Sequence, residues 1–234
     1  MSHHHISQKF RKQIIKLKRH RYHILQHKIR EKHNVSRGTV FYMKEYGPHS
    51  HVSSVIIKES FKMLVLAALF STIGGIGLQG IKQNLFQILP LLILLPALND
   101  MIGDFGTIVS SKFTTALYLG KIKGNPLTSP YVKELFLTVL VIAILSAIYI
   151  SSLSYGFAIL KGFEFSASLF LKIASITLFS TLLLVLLIFG ISVFLGMKIY
   201  RAQEDPNNFL IPITTSVADL GSMLIFSLLV LFLL

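Results

Sequence analysis

The chain has 234 residues, of which 53% are hydrophobic and only 14% charged, with no cysteine and no tryptophan. A soluble domain carries about a quarter charged residues; here the deficit falls after residue 62, which excludes a soluble globular fold. The formal net charge of +13 gathers in residues 1–62, which hold fourteen Lys and Arg against three Glu, and the missing cysteines exclude disulfides and thiolate metal sites.

Residues 1–58 form a basic cytoplasmic N-terminal segment. Within "KFRKQIIKLKRHRYHILQHKIREKH", Phe10, Ile14, Leu17, Ile24 and Leu25 recur at helical spacing among the basic residues, which predicts an amphipathic helix over 9–32. Such a helix suits anionic lipid headgroups. Nucleic acid would use the same charge, but no nucleic-acid-binding motif accompanies it, so none is expected as a partner. A regulatory role, with divalent ions competing for the lipid contacts, stays open. His20, His23 and His27 share a face at spacings compatible with a metal, or as a solvated face among lysines. His3 to His5 are native or a purification remnant. The stretch is too long and too basic for the n-region of a cleavable signal peptide. Gly47 and Pro48 mark a linker.

Residues 59–234 read as five spans, at about 60–80, 85–119, 132–153, 167–197 and 209–234, each near or above the ~20 apolar residues that cross a bilayer. All are expected to be helical, since lipid admits only helices or closed barrels and strand-like alternation is absent. The second and fourth outrun a ~30 Å hydrocarbon core at ~1.5 Å per residue, so they should tilt, break or project. Pro90, Pro96 and a polar cluster are expected to interrupt the second. Ala67, Ser71 and Gly75 give the first a small-residue face. Lys121, Lys123 and Lys133 in one connection, and Lys198 and Arg201 in another, join the basic N-terminus on the cytoplasmic side, which puts Leu234 outside.

The informative residues lie in "LLPALNDMIGDFGTIVSSK" and "PITTSVADLGSML". Span two holds Asn99, Asp100, Asp104 and Lys112, and span five holds Asp219. An ionised aspartate at mid-membrane costs about 2.5–3.5 kcal/mol even on the mildest scale, so these groups should face protein or water. Asp104 with Lys112 is either a structural ion pair or part of a cation path, and Asp100 lies either in that path or at headgroup level. Carboxylates, the Asn99 amide, and carbonyls freed near Pro96, Gly103 and Gly106 are hard oxygen donors. Magnesium, which keeps several waters while touching one or two carboxylates, suits so sparse a set. Thr214, Thr215 and Ser216 line the same path or pack helices.

"LLPALNDMIGDFGTIVSSKFTTALYLG" resembles the second-helix signature of the MgtE magnesium channels and their eukaryotic solute-carrier relatives. "DPNNFLIPITTSVADLGSMLIF" resembles their fifth-helix signature. The resemblance covers roughly residues 59–234. It implies an MgtE-like, all-α unit of five transmembrane helices and a homodimer whose central pore is lined by helices two and five. Asp219 stands at the ion-binding aspartate, Ala97 to Asp104 (Gly103 among them) at the pore-lining break, and Lys112 where the family has arginine. The family's Gly-Asn is Gly103-Asp104 here, and its long acidic cytoplasmic sensor is replaced by a shorter basic segment.

The sequence therefore predicts a multi-pass divalent cation channel or transporter, with Mg2+ as the transported ion. Asp219, Asp104, Asp100 and Asn99 are its metal ligands; Ala97, Gly103, Gly106, Thr214, Thr215 and Lys112 line its pore. A sodium- or proton-coupled exchanger is the alternative within transport, and a non-transporting anchor with a basic partner-binding region the alternative outside it. No hydrolase or transferase constellation appears, so no enzymatic activity is expected.

Overall fold

A computed structural model describes residues 52–122, 124–202 and 205–234. The chain divides between Glu59 and Ser60, and the described helices belong to the second unit, apart from the first turns of the leading one. The amphipathic helix expected over 9–32, its histidines and the linker lie outside the described residues.

The described elements are helical throughout: α1 (Val52–Gln79), α2 (Lys82–Gln87), α3 (Leu89–Tyr118), a single 3₁₀ turn (Pro126–Thr128), α4 (Pro130–Leu160), α5 (Ala167–Arg201) and α6 (Pro206–Leu233). Four of them, α3 to α6, are long and apolar enough to cross a membrane; the apolar part of α1, Met63–Gln79, is shorter. The helix ends follow local chemistry. Pro130 and Pro206 open α4 and α6 at the first position, where a missing N–H costs nothing. Asp205 caps α6 by accepting from the Asn207 N–H at 3.0 Å. Beyond α3 and α4, Gly120 (φ 68°) and Gly162 (φ 89°) adopt the left-handed conformation. The next N–H in each case, of Lys121 or Phe163, reaches back 3.0 Å to the Ala116 or Ala158 carbonyl. A side chain at either glycine would be strained.

The second span breaks at the first of the expected places, Pro90, and at neither of the others. The interruption falls at Ile88 (φ −110°, ψ 84°), and α3 then runs unbroken through Pro96 and the whole of 97–104. Pro90 accounts for the position: it offers no N–H and its ring would clash with the Phe86 carbonyl if α2 continued. Pro96 forfeits one bond, to the Leu92 carbonyl, without ending α3. On the small-residue face expected for α1, Ala67 and Ser71 are half-buried, but the next inward position is Gly74 rather than Gly75. Gly75 is exposed with no neighbour for an added Cβ, whereas Gly74 and Gly77 lie against Met223, Leu220 and Leu224 of α6.

Helix α3 is the central post, packed against α4, α5 and α6. Its buried residues divide the core into two storeys. Leu91, Leu94, Leu98 and Ile102 join Ile176, Leu184, Ala218 and Phe226 in one. Phe105, Val109 and Phe113 join Val139, Val185 and Phe189 in the other. Outward-facing Leu145, Phe179, Leu186, Phe194 and Phe232 leave an apolar exterior, as hydrocarbon requires.

Candidate functional site

Among the described residues, the aspartates within the long apolar helices are Asp100 and Asp104 on α3 and Asp219 on α6. Asp219 lies at the middle of α6, two turns beyond Pro212, and is half-buried. The hydroxyls between them turn back on their own helix. Thr214 donates to the Leu210 carbonyl at 2.8 Å, Thr215 to Ile211 at 2.9 Å and Ser216 to Pro212 at 2.7 Å. These are bonds back to the preceding turn, and none of the three goes to the Asn208 carbonyl, which is the one that loses its helical donor to Pro212.

Each carboxylate oxygen of Asp219 accepts one side-chain hydrogen bond. The Asn99 amide donates from Nδ2 to Oδ1 at 2.8 Å, and the Ser71 hydroxyl donates to Oδ2 at 2.8 Å. Ser222, one turn after Asp219, donates its hydroxyl to Asn99 Oδ1. This fixes the amide: reversing it would set carbonyl against carboxylate and leave Ser222 facing an N–H donor. The cluster ties α1, α3 and α6 together through four side chains, Ser71, Asn99, Asp219 and Ser222. A carboxylate has about four lone-pair sites, so two remain for water or a cation. A cleft of about 650 Å³ opens at Asn99, lined also by Leu95, Pro96, Ala97, Asp100 and Met223.

The other expected site residues fall into two groups. Ala97, Asp100, Asp104 and Lys112 are exposed on one face of α3, with Gly103 half-buried beside them. Asp104 and Lys112 stand eight residues apart on an unbroken helix, ~12 Å of rise, so the two do not form an ion pair. Gly106 and Thr214 are buried instead and meet each other. A Cβ on Gly106 would lie 3.1 Å from the Thr214 side chain, and Thr214 and Ser192 each share a 3.2 Å hydroxyl contact with Ser110. Thr215 is half-buried next to them. Among the described residues no three of His, Cys, Asp or Glu come together. Ser71 and Ser222 are members of the cluster that sequence reasoning missed. Ser222 follows Asp219 by three positions, a spacing that places both on one helix face; Ser71 carries no signal beyond small size.

Apolar helices of membrane length around an oxygen-rich cluster define a multi-pass membrane protein with an ionisable group held between its helices. The MgtE family model, described as a divalent cation transporter, matches residues 95–229, more than half of the chain, and the chain belongs to that family. Its matched region includes Asn99, Asp219 and Ser222 and leaves out Ser71. No curated protein and no solved structure matches the chain.

Proposed function

We propose that the protein carries Mg2+ across the membrane as a homodimer, with Asp219 as the principal ligand of the partly hydrated ion. The observation that carries this reading is the Asn99–Asp219 pair: a carboxylate at membrane depth, oriented by an amide, beside an open cleft. Magnesium retains waters and needs few direct protein oxygens. One carboxylate with two free lone-pair sites is therefore a sufficient anchor. Asp100 and Asp104 on the exposed face of α3, with Asn99 at its edge, form the mouth or a second site. Facing a twofold axis, this surface doubles its carboxylates. The N-terminus is cytoplasmic, its basic segment lies on anionic lipid, and Leu234 is outside.

The test is uptake by purified protein in liposomes, with a panel of divalent cations and with imposed sodium or proton gradients. Mg2+ should enter down its own gradient, and Asp219→Asn should abolish uptake while the dimer still assembles. Normal uptake by an assembled Asp219→Asn protein would refute the ligand assignment. Uptake that requires a sodium or proton gradient would establish an exchanger.

A further inference from the structure

We propose that Ser71 is a positioning residue for the ion-binding carboxylate, and that the seating of α1 on α6 is therefore part of the transport site. The inference rests on Asp219 being the ion ligand. Asn99 reaches Oδ1 from α3 and is itself held by Ser222, so that side of the carboxylate is braced by two side chains. On Oδ2 the side-chain donor is Ser71, and it comes from a different helix.

The serine has one proton and two acceptors in range, the Ala67 carbonyl at 3.2 Å and the carboxylate at 2.8 Å; the shorter, charge-assisted contact takes it. With both oxygens held, the carboxylate plane is fixed and its free lone pairs keep one direction. With Oδ2 released, the carboxylate can rotate about its last torsion, and the ion must then pay for reordering it.

What brings Ser71 to Asp219 is a close approach one turn further along α1. A Cβ added to Gly74 would lie 3.0 Å from Met223 Sδ and 3.1 Å from Leu220 Cα, and one added to Gly77 would lie 2.7 Å from Leu224 Cδ2. Elsewhere α1 presents Leu64, Leu69, Ile73 and Ile76 outward. The hydroxyl's position thus depends on a glycine seat, and the Leu220 backbone in that seat cannot move aside as a side-chain tip would.

The experiment is Mg2+ uptake against concentration, in liposomes, with the full chain and its assembled variants. Ser71→Ala should raise the half-saturating concentration about tenfold, the low end for loss of one hydrogen bond to a charged group, with the maximal rate within about twofold. Ser71→Thr, which keeps the hydroxyl, should restore it. Gly74→Val, which keeps Ser71 but lifts α1, should shift half-saturation in the same direction, and adding Ser71→Ala to it should change nothing further. An unchanged or lowered half-saturation in Ser71→Ala overturns the proposal. So does failure of Ser71→Thr to restore it, or additivity with Gly74→Val; either makes the serine a packing residue. Normal uptake by Asp219→Asn removes the underlying reading. Loss of uptake in Asp219→Asn beside an unaffected Ser71→Ala removes this inference alone.

Discussion

Asp104 stands where the family resemblance implies an asparagine, and its surroundings decide what a substitution should do. It is exposed on α3, one turn beyond Asp100, and Lys112 is too far along the helix to pair with it. Removing its charge therefore takes nothing from the fold of one subunit. Asp104→Asn should lower the thermal stability of the purified protein by no more than about 0.5 kcal/mol, as for other exposed positions. Lys112→Met, added to it, should neither rescue nor worsen that stability. If both Asp104 residues of a dimer face one axis, two unit charges ~8 Å apart at an effective dielectric of ~20 repel by about 2 kcal/mol, which a bound divalent cation relieves. The same substitution should then weaken apparent Mg2+ affinity in the uptake assay while transport persists. An unchanged affinity would leave Asp104 outside the ion path.

At the scale of elements, the hairpin joining α4 and α5 shows a contact that hydropathy cannot reveal. The Tyr155 hydroxyl donates to the Ser166 carbonyl at 3.2 Å and accepts from the Ser166 N–H at 3.1 Å, so one side chain satisfies both backbone groups of the α5 N-cap residue. The ring meets Phe163, Phe165 and Phe170 edge-on. Tyr155→Phe should lower stability by about 1–2 kcal/mol while leaving uptake at ambient temperature intact. Scanning melts of the detergent-solubilised protein measure the first effect, and no loss of stability would mean that water replaces the tyrosine. The limits of α5 and α6, and the start of α4, are legible in the sequence to within a few residues because a long apolar run behind a polar cap has one solution in lipid, whereas α4 runs seven residues past the expected 153. In the second span the break at Pro90 is legible, but the continuity through Pro96 and the polar cluster is not, because both look like breakers as strong as Pro90. The deciding factor is α2, a short segment that must end before Pro90. Asp219 and Asn99 are legible from the cost of burying polar groups. Their pairing across 120 positions is not, and neither is the role of Ser71, 148 positions from Asp219. A serine on a membrane helix is too common to announce a partner.

For the whole molecule, the question is what covers the outer face of α3. Ala97, Asp100, Asp104, Ile108, Lys112 and Thr115 are all exposed, and their spacing puts them within one stripe along the helix. Two carboxylates and an ammonium at membrane depth are not stable against hydrocarbon, so this stripe should meet water or another subunit. The chain contains no cysteine, so single cysteines can map both the twofold axis and the topology. A short bifunctional thiol reagent should link two copies of Ile108→Cys, on the stripe. It should not link Leu145→Cys or Phe179→Cys, which are equally outward-facing but lie off the stripe, on α4 and α5. In intact cells, a membrane-impermeant thiol reagent should label a cysteine at Lys161, beyond α4, and spare those at Lys121 and Arg201, which end α3 and α5. Two crossings separate the latter pair, so they must share a side whatever the orientation; only the comparison with Lys161 reports which side that is. Labelling at Lys121 and Arg201 alone would invert the orientation. Crosslinks at Leu145 or Phe179 but none along the α3 stripe would mean that the subunits meet elsewhere, and that the two aspartates of α3 face a water-filled path within a single subunit.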